Sequence, residues 1–203
     1  MSIKFHKIRE VESPSRANPT DAGIDFFVPS FTKQFRTDLL EKNPFLKIDH
    51  VCKRHKTDSM SYTVDKNPYK LDENGMYFEL EPHQRILIPS GIKCKMDNNI
   101  CVQDICYHKN VALIAFNKSG VASKLGLDIG SSVVDAAYQG EIHISLINTS
   151  NDTVKIYEKQ KIIQFIELPI YTSDIEIVGS EEELYNGVVT ERGEKGFGAH
   201  DNK

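Results

Sequence analysis

The sequence predicts an all-β fold, a sandwich or a barrel, because strand patterns dominate it and helical patterns are few. The segment "VALIAFN" (111–117) is a continuous apolar run of strand length, as in a buried strand. In "GEIHISLIN" (140–148) apolar and polar residues alternate, so Ile142, Ile144 and Leu146 share one face. This alternation indicates a half-buried strand.

Further strands are predicted from apolar runs that end at turn residues. "RILIPSGIKCKM" (85–96) is a β-rich run interrupted by Pro-Ser-Gly, and "KIIQFIELPI" (161–170) is a strand that ends at Pro169. Residues 153–157 follow the turn "NTSND" (148–152), so we expect this strand to pair with its neighbours in the chain.

Helix is predicted in two short segments only. Residues 119–127 would form one or two turns that begin with Ser119 as the N-cap, and residues 35–43 are the second candidate. Residues 31–76 are polar throughout, so we interpret them as an inserted loop or small subdomain on the β core. This insertion is also a candidate surface for a protein partner.

Cysteine and histidine spacing does not define a metal site. His50, Cys52 and His55 are zinc-ligand types, but their spacing matches no paired zinc motif. We interpret them as part of a solvated loop and keep zinc as the alternative. The chain has four cysteines, which we expect to be free thiols: Cys52, Cys94, Cys101 and Cys106.

The composition is that of an ordinary globular domain of 203 residues with a net charge of -4. This charge argues against non-specific binding to nucleic acid, and no direct nucleic-acid partner is expected. No apolar run is long enough to cross a bilayer, and the first residues lack an apolar signal core. The expected location is therefore the cytoplasm, or the host cytoplasm for a viral protein, without membrane association.

Two segments carry residue types that suit phosphate or a hydrated metal. In "TDAGIDFFVP" (20–29), Asp25 could hold a water bound to Mg²⁺, which keeps much of its water shell, or could merely serve the turn. In "NKSGVASK" (117–124), a lysine, a hydroxyl and a glycine precede a predicted helix turn. Amides and the helix dipole favour anions there, although the same residues also cap helices.

Two further segments combine a carboxylate or amide with strand patterns. "VVDAAYQGEIHISLIN" (133–148) is predicted to be a β-hairpin whose loop end carries Asp135 and Tyr138. A carboxylate in this place could act as a general base for water, or the segment could be a surface hairpin only. Gln164 lies in an apolar strand, where its amide either faces outward or binds a partner.

The tail "ERGEKGFGAH" (191–200) contains three glycines, two cations and one phenylalanine. Glycine lets the backbone approach a ligand closely, and chain ends are usually loose. The composition suits a mobile arm that orders over a phosphorylated aromatic ligand, and it suits a disordered tail equally well.

Taken together and in order, five segments resemble the motifs of the homotrimeric deoxyuridine triphosphatase (dUTPase) family: "DAGIDFFVP", "KSGVASK", "VVDAAYQGEI", "KIIQFI" and "RGEKGFGAH". The resemblance covers most of residues 1–30 and 77–203 and leaves 31–76 outside. It implies a jelly-roll β-barrel, three chains that share their active sites, and cleavage of dUTP to dUMP and pyrophosphate with Mg²⁺ chelated by the triphosphate. Residues 1–203 would form one domain, with 188–203 as a flexible C-terminal lid arm.

The resemblance also implies a role for each motif residue. Asp135 would activate the attacking water, and Tyr138 would lie under the deoxyribose and reject a 2′-hydroxyl. The backbone around Ile129 and Val134 would read the uracil edge. The other implied contacts are Lys118, Ser119 and Gly120 on the phosphates, Asp25 and Gln164 on Mg²⁺-bound waters with no direct protein ligand to the metal, and Arg192, Phe197, Gly198 and Ala199 in the lid.

Several positions depart from the family pattern. Lys118 and Lys161 stand where arginine is usual, and lysine lacks the two-pronged geometry of a guanidinium. Ile129 replaces an asparagine common in the family, and Ala199 and His200 replace Ser-Thr.

Two other functions are left open by the sequence. One is a dCTP deaminase of the same fold, which needs a glutamate in the pocket. Glu141 is the only acid nearby, and we expect it to point away from the Asp135 side. The other is a nucleotide-gated interaction module that binds a protein through 31–76.

Overall fold

The computed structural model describes residues 2–46, 49–54, 62–96, 99–102, 105–108 and 110–194. Side chains are described for the same residues, except in the strands that fall within 49–67 and 99–108. The chain divides into two units, Met1–Ile170 and Tyr171–Lys203.

The first unit consists mainly of strands, as predicted. Its elements in chain order are β1 (Ile3–Lys7), β2 (Ile24–Phe27), α1 (Lys33–Lys42), β3 (Asp49–Arg54), β4 (Tyr62–Asn67), β5 (Lys70–Asp72), β6 (Gly75–Leu80), β7 (Arg85–Pro89), β8 (Ile92–Met96), β9 (Asn99–Val102), β10 (Ile105–His108), β11 (Val111–Asn117), α2 (Ser119–Leu125), β12 (Leu127–Ile129), β13 (Val133–Asp135), β14 (His143–Asn148), β15 (Val154–Tyr157) and β16 (Lys161–Pro169).

Two antiparallel sheets contribute half of the core cluster and position the candidate site. One sheet has the strand order β13-β11-β16-β2, and the other has the order β12-β14-β7. Their apolar faces bury residues such as Phe26, Leu113 and Phe165 from the first sheet and Ile88 and Ile144 from the second. The predicted alternation in β14 is confirmed, since Ile144 and Leu146 are buried while the residues between them are half-buried.

Smaller strand groups complete the described part of the fold. β15 pairs with β6 and β6 with β5, while β1 pairs with β8, β3 with β4 and β9 with β10. The expectation that residues 153–157 pair with neighbours in the chain is therefore wrong. Val154 and Ile156 are buried on one face of β15, and the partner that completes this apolar layer is the sequence-distant β6.

The predicted hairpin over 133–148 is also wrong in its pairing. β13 pairs with β11, whereas β14 lies between β12 and β7 in the other sheet. Residues 136–142 therefore carry the chain from one sheet to the other, and Asp135 and Tyr138 lie at this crossing.

The helix at 119–127 forms as α2, but Ser119 is not its N-cap. Lys118 takes the cap position in extended conformation, and its carbonyl accepts the amides of Val121 and Ala122. Ser119 is already helical and accepts the hydroxyl of Ser123 through its own carbonyl at 2.6 Å. A helical residue cannot cap its own helix, so the cap moves one position back.

The segment 31–76 begins with a helix that buries one face. α1 starts at Thr32, whose hydroxyl accepts the Phe35 amide at 3.2 Å, and it buries Phe35 and Leu39 completely. At its end Asn43 exchanges two hydrogen bonds of 2.8 Å with the Leu87 backbone of β7. This first part of the segment is thus integrated into the core, and the predicted helix at 35–43 is confirmed with a slightly earlier start.

The second unit contains the short helix α3 (Glu181–Tyr185), with Ser180 accepting the Glu183 amide at 3.2 Å as its cap. Its described residues expose several large apolar side chains: Tyr171, Ile175, Ile177, Leu184, Tyr185, Val188 and Val189. Among the residues described in either unit, no helix has the length and apolar character that crossing a bilayer requires.

Candidate active site

The first group of predicted site residues meets where β2, β11 and β16 lie side by side. Asp25 and Gln164 are direct cross-strand partners on β2 and β16. Lys118 follows β11 and binds one Asp25 carboxylate oxygen, while Lys161 lies 3.1 Å from the other. Gln164 donates to the carbonyl of Asn117 at 2.9 Å, which ties β16 to the start of the Lys118 turn. We call Asp25, Lys118 and Lys161 the Asp25 cluster.

The electrostatics of the Asp25 cluster keep its carboxylate charged. Asp25 is 4% exposed, and this burial raises the pKa of its carboxyl. The hydrogen bonds and charges of Lys118 and Lys161 outweigh the burial, so the pKa of Asp25 lies below its ordinary value. The charged Asp25 carboxylate therefore holds the ammonium groups of Lys118 and Lys161 in place, and these lysines would face an anionic ligand.

Ser119 and Gly120 lie exposed at the start of α2, directly beyond Lys118. A methyl group added at Gly120 would meet no heavy atom within 4 Å. The space in front of this turn is therefore open, which suits the predicted contact with phosphates.

The second group of predicted residues lies at the crossing between the two sheets. Asp135 ends β13 opposite Ala112 and is exposed, while Val134 is half-buried against the core. Tyr138 is 45% exposed, and its amide donates to the Asp135 carbonyl at 3.0 Å. We call residues 135–140 the Asp135 turn.

The ring of Tyr138 is fixed in place by its own turn. Its hydroxyl donates to the Glu141 carbonyl at 3.0 Å. A Cβ at Gly140 would lie 2.2 Å from that hydroxyl oxygen, so only glycine leaves room for the ring in this position. The turn thus presents a carboxylate and an aromatic ring together on an exposed surface.

Ile129 lies outside this exposed surface. It ends β12 opposite Leu146, and its side chain packs against the core. Only its backbone could therefore contribute to reading a base edge, as the resemblance implies for the residues around 129–140.

The two groups lie far apart within one chain. Asp135 pairs with Ala112, and Lys118 follows six positions later, just past the other end of β11. At about 3.3 Å per strand residue, the backbone positions are about 20 Å apart. Asp135 and the Asp25 cluster of one chain therefore lie at opposite ends of β11.

A groove of about 500 Å³ adjoins the Asp135 turn. Ala136, Ala137, Tyr138 and Gln139 line one side, and the ribbon of β1 and β8 lines the other. Lys4 and Lys95 are directly opposed on this ribbon. Like charges in this arrangement repel one another, and they create a positive surface beside the tyrosine.

The predicted lid residues are only partly described. Arg192 lies exposed in the second unit. Phe197, Gly198 and Ala199 lie outside the described residues, so the structure places none of them. The candidate zinc ligands His50, Cys52 and His55 also fall where side chains are not described, whereas Cys94 is a free thiol, as expected.

Sequence reasoning missed one group beside the Asp135 turn. Arg9 binds both carboxylate oxygens of Glu141, at 2.8 and 2.9 Å, and its other nitrogen lies 2.5 Å from Asp38. Glu141 is more than a hundred positions from both Arg9 and Asp38 in the chain, and no local pattern joins the three. The carboxylate of Glu141 is held by Arg9 and Gly91, and that it points away from the Asp135 side stays a prediction.

Comparison with known proteins gives the same family as the motifs. The dUTPase family profile matches residues 75–200. A deoxyuridine 5′-triphosphate nucleotidohydrolase of Haemophilus influenzae is 32% identical over 123 residues, which span 60% of this chain and 71% of that protein. One from Candida albicans is 43% identical over 82 residues, which span 40% of this chain and 49% of that protein.

Solved structures show the same fold over nearly the whole chain. The dUTPase of Staphylococcus bacteriophage 80alpha, determined with dUPNHPP, matches with a TM-score of 0.61 at 18% identity and covers 98% of this chain and 97% of its own. The dUTPase of phage phi11 of S. aureus, described with a species-specific insert, matches with a TM-score of 0.57 at 17% identity, over 90% of this chain and 99% of its own. By its profile match, its relatives and its fold, this chain belongs to the dUTPase family.

Proposed function

We propose that this protein hydrolyses dUTP to dUMP and pyrophosphate. Family membership supports the reaction, and relatives that share about a third of their aligned residues carry the name of this activity. The single observation that supports it most is the Asp135 turn, where an exposed carboxylate and a fixed tyrosine ring lie side by side.

Asp135 is the proposed general base. It would take a proton from a water molecule as the water oxygen attacks the α-phosphorus, and pyrophosphate would leave with the bonding electrons. The contribution of the base is positioning as well as proton removal, and strand β13 supplies the positioning because its backbone is held by β11.

Tyr138 is the proposed sugar-recognition residue. Its ring is held through the hydroxyl, and Gly140 leaves room for it there, so the ring would occupy the space that a ribose hydroxyl requires. The backbone around Ile129 and Val134 would read uracil. The nucleotide would be covered by a C-terminal lid arm over 188–203, with contacts from Arg192, Phe197, Gly198 and Ala199.

The phosphates are proposed to bind at Lys118, Ser119 and Gly120. Lys118 is held by Asp25, and the open space at Gly120 allows close approach. The positive groove beside Tyr138 would attract a polyanion such as a nucleoside triphosphate.

Mg²⁺ is proposed to arrive chelated by the triphosphate, whose charge it neutralises, with no direct protein ligand. Both oxygens of Asp25 already bind lysines, which supports an indirect contact through water. Asp25 and Gln164 are at most placed to meet its water shell.

The active site is proposed to be shared between chains of a homotrimer. The separation of about 20 Å along β11 supports sharing, because Asp135 of one chain needs the phosphate-binding residues of another. The apolar side chains exposed in the second unit, such as Ile175 and Ile177, are candidates for burial between chains. The remainder of 31–76 stays a candidate surface for a protein partner.

A nucleotide panel tests the proposed reaction. Purified protein with Mg²⁺ is given dUTP, UTP, dTTP or dCTP, and pyrophosphate and ammonia are both measured. We expect pyrophosphate from dUTP alone. Ammonia from dCTP would identify a deaminase instead, and no turnover of any nucleotide together with tight dUTP binding would identify a sensor.

A further inference from the structure

We propose that Asp38, Arg9 and Glu141 form a brace through which helix α1 holds the Asp135 turn in its working geometry. This inference rests on the proposed function for its kinetic consequences only. The brace joins three separate parts of the chain. Asp38 lies on α1, Arg9 lies two residues after the end of β1, and Glu141 follows the Asp135 turn.

The central contact is the pair between Arg9 and Glu141. Both carboxylate oxygens accept from the guanidinium, at 2.8 and 2.9 Å, and the Gly91 amide adds a third hydrogen bond at 2.7 Å. The side chains are only 16% and 12% exposed, so solvent screens this two-pronged contact little. Burial raises the pKa of Glu141, but the bonds from Arg9 and Gly91 outweigh it and keep the carboxylate charged.

The contact acts on the site through the Glu141 backbone. The Glu141 carbonyl accepts the Tyr138 hydroxyl at 3.0 Å and lies 2.9 Å from Nδ1 of His143. Fixing the Glu141 side chain therefore fixes the carbonyl that holds the tyrosine ring. The Tyr138 amide also donates a hydrogen bond to the Asp135 carbonyl, which links the tyrosine to Asp135.

The other end of the brace lies on α1. Asp38 is 2.5 Å from the second terminal nitrogen of Arg9, so the guanidinium is held from both sides. α1 is itself rigidly placed by buried Phe35 and Leu39 and by the Asn43 bonds to β7. Helix α1 lies within 31–76, outside the family motifs. It thereby supports Asp135 and Tyr138, which lie within a motif.

The roles are those of positioning residues, because none of the three side chains lies on the exposed surface formed by Asp135 and Tyr138. Loosening the brace should let the tyrosine ring move, which weakens nucleotide binding and admits a ribose. Removing one partner from a hydrogen-bonded charge pair commonly costs about tenfold in the quantity it supports.

The experiment compares Glu141→Gln, Arg9→Lys and Asp38→Asn with wild type. We expect kcat/KM for dUTP to fall about tenfold in Glu141→Gln and about threefold in Asp38→Asn, mainly through KM, and the preference for dUTP over UTP to shrink in parallel. Arg9→Lys keeps the positive charge but loses the two parallel N–H donors of the guanidinium. It should therefore behave like Glu141→Gln rather than like the wild type. In a double-mutant cycle with Tyr138→Phe, the effect of Glu141→Gln should largely disappear, because both changes break the same connection.

A second measurement is independent of turnover. Amide hydrogen exchange should become faster in residues 133–142 of Glu141→Gln and Asp38→Asn, while the neighbouring strand 143–148 stays protected. This measurement also stands if the wild type fails to hydrolyse dUTP, which would overturn the proposed function but not the brace. If Glu141→Gln does not fold, Asp38→Asn and Arg9→Lys decide the matter.

The matched control is Asp72→Asn. Asp72 also lies within 31–76 and also forms an ion pair, at 2.7 Å with Lys155, but its contacts do not reach the Asp135 turn. We expect wild-type kinetics and exchange from it. The inference is wrong if Asp38→Asn leaves both KM and the exchange of 133–142 at the wild-type values, or if Asp72→Asn changes them equally.

Discussion

At the scale of single residues, Asp135 and Glu141 are both acids near the Asp135 turn, but their surroundings give them different roles. Glu141 accepts three hydrogen bonds from Arg9 and Gly91, which stabilise its charged form and hold its carboxylate in a structural ion pair. Asp135 is exposed at the end of a strand. The deaminase alternative needs a free glutamate in the pocket, and the observed pairing therefore favours the hydrolase.

Gly140→Ala tests the placement of the tyrosine ring. The new methyl group would lie 2.2 Å from the Tyr138 hydroxyl oxygen, which is the far end of a movable and exposed side chain. We expect the ring to swing out, so that KM for dUTP rises about tenfold while the urea midpoint changes little. Gly179→Ala, where the nearest atom is an ordinary 3.6 Å away, is the control. An unchanged KM would show that the ring position does not matter for binding.

At the scale of elements, α1 is a component of the core. Phe35 stacks on Phe31 with ring centroids 5.6 Å apart, and Phe31 stacks on Tyr69 at 4.2 Å. Residues from both ends of the segment 31–76 thus meet in one aromatic group. β3 and β4 lie in the sequence between these two anchored ends.

Phe35→Ala tests this anchoring. Removing a fully buried ring should lower the free energy of unfolding by about 3–5 kcal/mol, because the transfer free energy is lost and a cavity remains. Phe45→Ala, at a side chain that is 39% exposed, should cost less than about 1 kcal/mol. Urea denaturation of both variants measures the difference. Equal, small losses would mean that α1 is peripheral.

The sequence predicted individual elements better than their partners. β11, β14 and β16 follow from apolar runs and alternation, since those patterns depend on local burial alone. Pairing of β13 with β11 and of β15 with β6 joins distant segments, and nothing in their local patterns selects the partner. α1 was predicted as a helix, yet its polar neighbours concealed that Phe35 and Leu39 belong to the core.

The candidate site was predictable to a similar extent. The motifs contain Asp25, Lys118 and Gln164, and these residues do meet. The resemblance did not reveal that Lys118 would bind Asp25, or that Asp38 and Arg9 would support Glu141. Such ion pairs depend on the tertiary fold, and a single sequence carries no signal for them.

At the scale of the whole molecule, four described carboxylates have a lowered pKa and so link stability to acid: Asp25, Asp72, Asp128 and Glu141, of which Asp25 and Glu141 belong to the candidate site. Asp25 and Glu141 both have a pKa below their ordinary values of 3.8 and 4.5, because lysines and Arg9 outweigh the effect of burial. A group whose pKa is lowered by folding stabilises the protein at pH above the unfolded value. That stability is lost as pH falls through the folded value, because the unfolded chain then binds the proton more readily.

Urea midpoints measured between about pH 3 and pH 7 test this linkage. We expect the wild type to lose stability steeply below about pH 4.5, and Glu141→Gln to show a shallower decline because it lacks one of these linked carboxylates. Parallel curves for the two proteins would contradict the assigned pairing of Glu141 with Arg9.

The account as a whole depends on Asp135 as the base that activates water. The most direct test compares Asp135→Asn with the wild type and with Asp152→Asn, a control at another exposed aspartate, for pyrophosphate release and for binding of an α,β-imido analogue of dUTP. We predict that Asp135→Asn loses turnover by at least about 100-fold while it binds the analogue as the wild type does. Pyrophosphate release by Asp135→Asn at the wild-type rate would contradict the account.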